Sequence, residues 1–371
     1  MAMKHICTQC GRISPDGNLW CQERQCLAER KPIIFDAGDN IGDISITRRL
    51  AVLRTAAFYE GIRADEKILI KMAHSDRVSQ DKLRYEAKLL AHLQSIRLHP
   101  NFPTLIAPYR GASVYERPYG KIGFQNETKY FMLFEHVSGE FLRDVLRVSP
   151  FPWNRYAHYV VRGVSAAVMF MHEHQKLHLN LSPDIVYIRT DMDGIPRPLL
   201  FDFGLDDPEL ITHARQIIPP SYIAPELLMM PRASFQSDVY GLGLMMYEML
   251  MGEPAYSFKS RHDEMIWDDV SKGKVIPINR TDLPNPEKPE YRDGNTVIMS
   301  AIQTNPAMRQ PDVAVFAHEM YRLFGDIPPE RKRRFSWLNR RNAAIVGLVV
   351  VIIIVQLIVI SAVFTGNTSM T

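Results

Sequence analysis

Four cysteines, Cys7, Cys10, Cys21 and Cys26, make up the whole cysteine content of this 371-residue chain, with the spacing C-x2-C-x10-C-x4-C. Four thiolates gathered by two short loops form a tetrahedral site for Zn2+, and Gly11 after Cys10 supplies the tight turn such a loop needs. His5 could replace one ligand, and unligated or disulfide-bonded cysteines are the competing reading. A second set of reactive groups is spread through the middle of the chain. Lys71 ends the β-like run Ile68-Leu69-Ile70, Glu86 follows fifteen residues later in a helical pattern, and Asp202 stands in Leu199-Leu200-Phe201-Asp202-Phe203-Gly204. The plain reading of Lys71 and Glu86 is an ion pair that fastens a helix to a sheet.

Between Glu86 and Asp202 lies His178-Leu179-Asn180-Leu181-Ser182-Pro183-Asp184-Ile185. Beyond Asp202 come Ala224-Pro225-Glu226, Asp238-Val239-Tyr240-Gly241-Leu242-Gly243 and Asn305-Pro306-Ala307-Met308-Arg309. Each segment alone is weak, but their joint order and spacing are specific. Over residues 34–325 the chain resembles the protein kinase family. The resemblance implies an α+β, bilobal protein-kinase-like domain with a small lobe over about 34–136 and a large lobe over about 137–325. It implies ATP and Mg2+ as cofactors, with Lys71, held by Glu86, gripping the nucleotide phosphates and Asp202 holding Mg2+. Arg309 would pair with Glu226 and hold the large lobe together.

The departures from the family pattern fall on the chemistry. Where the family has H-R-D-L-K-P-x-N, Asn180 takes the place of the aspartate base, and an amide cannot accept a substrate proton at neutral pH. Ser182 stands for the lysine that stabilises the transferring phosphate, Ile185 for the asparagine that binds a second Mg2+, and Leu179 for the arginine. Pro219 replaces the usual threonine seven residues before Glu226, and phosphorylation at Thr212, Ser221 or Tyr222 has no evident cation to receive it. The stretch expected to be a glycine-rich phosphate loop runs Arg48-Arg49-Leu50-Ala51-Val52-Leu53-Arg54-Thr55, without glycine. Its three arginines could reach phosphates, though an exposed strand face suits them better. Leu69, Tyr187 and Phe134 push side chain into the volume adenine would fill. These substitutions weigh against ATP and Mg2+, and no catalytic residue is intact.

Positioning these groups requires strands early and helices late. Tyr130 to Leu133 is a second β-like run, Gly111 to Lys129 reads as a long hairpin loop, and Val160, Val161, Val164, Ala167, Val168 and Met171 repeat at helical spacing. Further helices are expected around 240–251 and 313–324. The cysteine segment, residues 1–30, resembles a small zinc ribbon that depends on metal for its fold. At the other end, Ala343 to Phe364 is uncharged and, as a helix, roughly 33 Å long, which predicts one transmembrane α-helix. A basic linker at 326–342, with Arg331, Lys332, Arg333, Arg334, Arg340 and Arg341, precedes it, and an uncharged tail, 365–371, follows. The charge bias places residues 1–342 in the cytoplasm, with the protein single-pass in the cell membrane.

Composition sets the outer bounds. With 46% apolar residues the chain is too hydrophobic for general disorder, and a net charge of +3 gives no field that makes nucleic acid the expected partner. No apolar signal-peptide core opens it. The expected function is a membrane-anchored, kinase-like signalling or scaffold protein, a pseudokinase with protein partners and the bilayer as contacts. The alternative is a weak or unconventional ATP-dependent transferase that uses Lys71, Glu86 and Asp202.

Overall fold

The computed structural model describes residues 4–6, 13–14, 32–124, 127–148, 156–190, 195–229, 232–256, 262–278 and 293–324. Strands β1 (Lys4–Ile6), β2 (Ile13–Ser14) and β3 (Ile33–Ile34) form an antiparallel sheet in the order β2-β1-β3. The four cysteines expected to bind Zn2+ lie outside the described residues. So do the linker 326–342, the apolar run 343–364 and the tail. Among the described residues no helix is long and apolar enough to cross a membrane, and no group of three or more His, Cys, Asp or Glu is placed to hold a metal.

A seven-stranded antiparallel sheet follows. Strands β4 (Asn40–Ile41), β5 (Ile44–Val52), β6 (Ala56–Arg63) and β7 (Glu66–Ala73) are consecutive neighbours, β10 (Glu127–Glu135) pairs with β7, and β8 (Leu105–Ile106) and β9 (Gly120–Phe124) pair with β10. Side chains alternate across it. Ile68, Ile70 and Met72 of β7 join Phe35, Ile44, Tyr59 and Leu133 on one face, while Leu69 and Ala73 join the main core on the other. Residues 111–129, expected to be one loop, instead contain β9. Gly120 allows that pairing, because a Cβ there would stand 2.3 Å from the Phe131 ring.

Helix α1 (Arg77–Ile96) covers the inner face of this sheet. Asp76 caps it by accepting from the Ser79 N–H at 3.0 Å, and its interior has neither glycine nor proline. After β10, residues 136–138 lead into a second, mainly helical lobe that starts with β11 (Gly139–Phe141) and α2 (Leu142–Val148). The apolar repeat noted above forms α3 (Ala157–Glu173), followed by the hairpin of β12 (Val186–Thr190) and β13 (Pro196–Leu200). Helices α4 (Ala214–Ile217), α5 (Pro225–Met229), α6 (Phe235–Met251), α7 (Asp263–Lys272), α8 (Gly294–Ala301) and α9 (Val313–Phe324) complete the described lobe. Helix α6 is buried over nearly its whole length and ends at Gly252, whose φ of +77° suits a left-handed cap.

Candidate functional site

Strand alternation turns Lys71 inward from β7, with Phe58 of β6 and Met132 of β10 as its cross-strand neighbours. On α1, Lys82 and Glu86 are one turn apart and share the buried face. The chain returns 116 residues after Glu86 at Asp202, just past β13, where the backbone takes a left-handed turn with φ +62°. These segments meet in one ionic cluster whose side chains are at most 2% exposed. Glu86 accepts from Lys71 Nζ through Oε2 and from the Asp202 N–H, 3.0 Å away, through Oε1. Asp202 Oδ1 accepts from Lys71 Nζ and, at 2.6 Å, from Lys82 Nζ, which also donates to the Asp202 carbonyl at 3.1 Å. Asp202 Oδ2 accepts from Asn180 Nδ2 at 2.5 Å.

Two ammonium groups face two carboxylates, so the buried charge cancels. Burial alone would raise the Asp202 carboxyl, but Lys71 and then Lys82 override it and hold it at about 2. The two lysines move in opposite directions. Burial depresses both, yet Asp202 and Glu86 together raise Lys71, whereas Lys82, facing Asp202 and repelled by Lys71, stays lowered.

The loop carrying Asn180 hangs from Asp238 of α6. Its carboxylate accepts from the N–H groups of His178 and Leu179, at 2.9 and 2.7 Å, and lies 2.8 Å from His172 Nε2. These bonds hold Leu179 at φ +65°, a conformation few side chains adopt unaided. His178 then accepts from the Asn180 N–H at 3.2 Å through Nδ1, and its Nε2 donates to the Phe201 carbonyl at 3.1 Å. Asn180 is thereby aimed at Asp202, as a donor. Its Oδ1 and the Ser182 hydroxyl are buried and have no hydrogen-bond partner among the described residues.

Beside the cluster, the space between the lobes is filled with rings. Phe58 packs on Phe141 at 5.1 Å and on Phe201 at 5.2 Å, Phe134 packs on Phe201 at 5.2 Å, and Phe141 packs on Tyr187 at 5.2 Å. All five are buried, as is Leu69. The Tyr187 hydroxyl shares its proton between the carbonyls of Gly139 and Val137, at 2.8 and 3.0 Å, so two acceptors of the interlobe connection are already used.

The arginines before β6 do not converge on a phosphate position. Arg48 pairs with Glu60 and Arg49 with Asp36, both in the small lobe, while Arg54 crosses to the large lobe to reach the Gln216 carbonyl and Asp263 at 2.9 Å each. Arg309 and Glu226 make a two-point pair, both bonds 2.8 Å long. Of the three hydroxyls considered for phosphorylation, Ser221 and Tyr222 are buried, the latter bonded to Arg143 and Glu248, and Thr212 is exposed.

The residues present do not fit Mg2+ or ATP in the arrangement the resemblance implies. Both Asp202 oxygens are taken by nitrogen donors, a divalent ion would have to displace an ammonium, and buried rings pack against one another across the space between the lobes. Lys71, Glu86 and Asp202 are brought together, with Asn180 against them and Ser182 buried nearby in the same loop. Lys82, Phe58 and Phe141 are additions that sequence reasoning missed, and Arg54, expected on an exposed strand face or near phosphate, instead joins the lobes. The signal for Lys82 was its one-turn spacing from Glu86.

The family model of the protein kinase domain matches residues 56–320. Among curated relatives, the serine/threonine-protein kinase PknB of Mycobacterium tuberculosis is 23% identical over 291 residues, covering 76% of this chain and 42% of PknB. The serine/threonine-protein kinase CG17528 of Drosophila melanogaster is 24% identical over 200 residues, 53% of this chain and 26% of that protein. The chain thus spans less than half the length of these relatives. The crystal structure of the PknI kinase domain of Mycobacterium tuberculosis superposes with a TM-score of 0.52 at 16% identity, covering 79% of this chain and all of that one. With the match extending over more than half of its residues, the chain belongs to the protein kinase domain family.

Proposed function

We propose that this chain is a pseudokinase, a kinase-fold binding or scaffold module that closes its cleft with its own side chains and transfers no phosphate. The observation that carries this reading is the Asp202 carboxylate, satisfied on one oxygen by Lys71 and Lys82 and on the other by Asn180. Asn180 cannot serve as a general base, and its amide turns what would be a carboxylate–carboxylate repulsion into a hydrogen bond. The reading extends to the ends of the chain on sequence grounds. The run 343–364 anchors the protein in a membrane with residues 1–342 on the cytoplasmic side, and Cys7, Cys10, Cys21 and Cys26 bind Zn2+ in a second docking element.

The test is thermal melting of the full-length chain in detergent with millimolar ATP and Mg2+ or Mn2+, alongside an assay for phosphate transfer to added proteins. The expected result is an unchanged midpoint and no transfer. A concentration-dependent rise that disappears in Lys71→Ala would overturn the reading. It would favour the transferase alternative, whose support is the assembled trio of Lys71, Glu86 and Asp202 and which requires Asp202 to leave Lys82 and Asn180.

A further inference from the structure

We infer that Lys82 is the resident cation of this cleft, a tethered ammonium occupying the position at which Asp202 would otherwise take a divalent metal, so that removing it opens a metal site. The inference rests on the pseudokinase reading and names what replaces the metal. Three oxygens converge on Lys82 Nζ: Asp202 Oδ1 at 2.6 Å, the Asp202 carbonyl at 3.1 Å and Glu86 Oε2 at 3.6 Å. Fastening α1 to the sheet does not require it, because Lys71 already pairs with Glu86 and Glu86 already accepts from the Asp202 N–H.

Charge explains its presence. Glu86 and Asp202 carry two negative charges and Lys71 one positive charge, leaving one buried negative charge that Lys82 cancels. A divalent ion would offset that charge and leave the cluster at +1, and the oxygens around Nζ are the hard donors that Mg2+ and Mn2+ take. Asn180 Oδ1 is a fourth acceptor in the cluster, buried and without a hydrogen-bond partner among the described residues, on the amide that bonds Asp202.

The experiment uses Mn2+ alone, with no nucleotide, on the full-length chain in detergent. Wild type is expected to show no Mn2+ binding that depends on Asp202. Lys82→Ala is expected to bind one Mn2+ per chain, seen by electron paramagnetic resonance and by a melting midpoint that rises until the site saturates. Adding Asp202→Asn should abolish both signals. If Lys82→Ala folds and shows no Mn2+ response, or if wild type already shows one that Asp202→Asn removes, the inference is wrong.

Should Lys82→Ala fold poorly, Lys82→Met supplies a second readout. It should melt below wild type, and Lys82→Met with Asp202→Asn should melt above Lys82→Met alone, because the surplus charge has gone. A Lys82→Met protein that melts with wild type, or no recovery in the double variant, would equally overturn the assignment. ATP is absent from every arm, so a failure here is separable from a failure of the pseudokinase reading, which is judged by the nucleotide response of wild type.

Discussion

Two buried acidic centres lie close together in this protein and are satisfied in different ways. Asp238 is a single carboxylate met by two backbone N–H groups and the His172 ring. Asp202 is surrounded by charges and an amide, all from side chains that have arrived from distant parts of the chain. The first arrangement fixes the shape of a loop and needs nothing from a ligand. The second occupies the place where the family's chemistry is done, and here the protein supplies every partner itself. On the reading proposed above, the kinase framework keeps its anchors and its cleft serves as a structural ion cluster.

The largest effect should come from Asp238→Ala, which strips three bonds from a buried anion site and releases Leu179 from its left-handed backbone. A loss on the order of 5 kcal/mol, or outright failure to fold, is expected in urea denaturation. Asn180→Asp should come next, because it places a new negative charge against Asp202 in a cluster that is already neutral. About 3 kcal/mol should be lost, and phosphate transfer should not appear, since Ser182 and Ile185 remain. If Asn180→Asp were neutral in the melt, the picture of a balanced cluster would be wrong.

Acid should separate the two centres. His178, in the loop held by Asp238, and His74 are each held down to about 4, burial being the main cause in both. Their unfolded forms bind a proton from about pH 6.5 downward while the folded forms do not, so stability should fall as pH drops from 6.5 to 4. Asp202 acts lower. Its depressed value contributes stability that is present above about pH 4 and lost as pH falls toward 2. Melting curves across both windows should show two phases, and His178→Gln should shrink the upper one, leaving the part owed to His74, without altering the lower. A lone transition below pH 4 would remove the distinction.

The smallest effect belongs to Arg54→Ala. Its link to Asp263 is partly exposed, so at most about 1 kcal/mol is at stake. Hydrogen exchange should nonetheless quicken around residues 214–217, because the bond to Gln216 is lost. Unaltered exchange there would mean that Arg54 does not tie the lobes.

How far this could be read from sequence differs residue by residue. Lys71, Glu86, Asp202, Asn180 and the Arg309–Glu226 pair were legible because ordered motifs at fixed intervals specify a fold without any contact being known. Lys82 was not. A lysine on an amphipathic helix reads as solvated, and its burial depends on Asp202, 120 residues away, closing over it. Phe58, Phe141 and Phe201 read as ordinary core, since apolar residues on alternating strands do not announce which ones fill a cleft. The strand at Gly120–Phe124 was hidden by its own glycines, which suggest a loop unless the Phe131 ring that needs the space is known.

The phenol of Tyr187 has a mechanical consequence. It rises from β12 of the large lobe and ties the carbonyls on either side of Ser138, in the stretch that leads from one lobe to the other. Bending that joint means pulling a buried hydroxyl out of a ring-packed pocket, and Arg54 resists the same motion at the cleft mouth. A joint held this way is stiff, so a displacement of the small lobe carries the large lobe with it before the space between them widens.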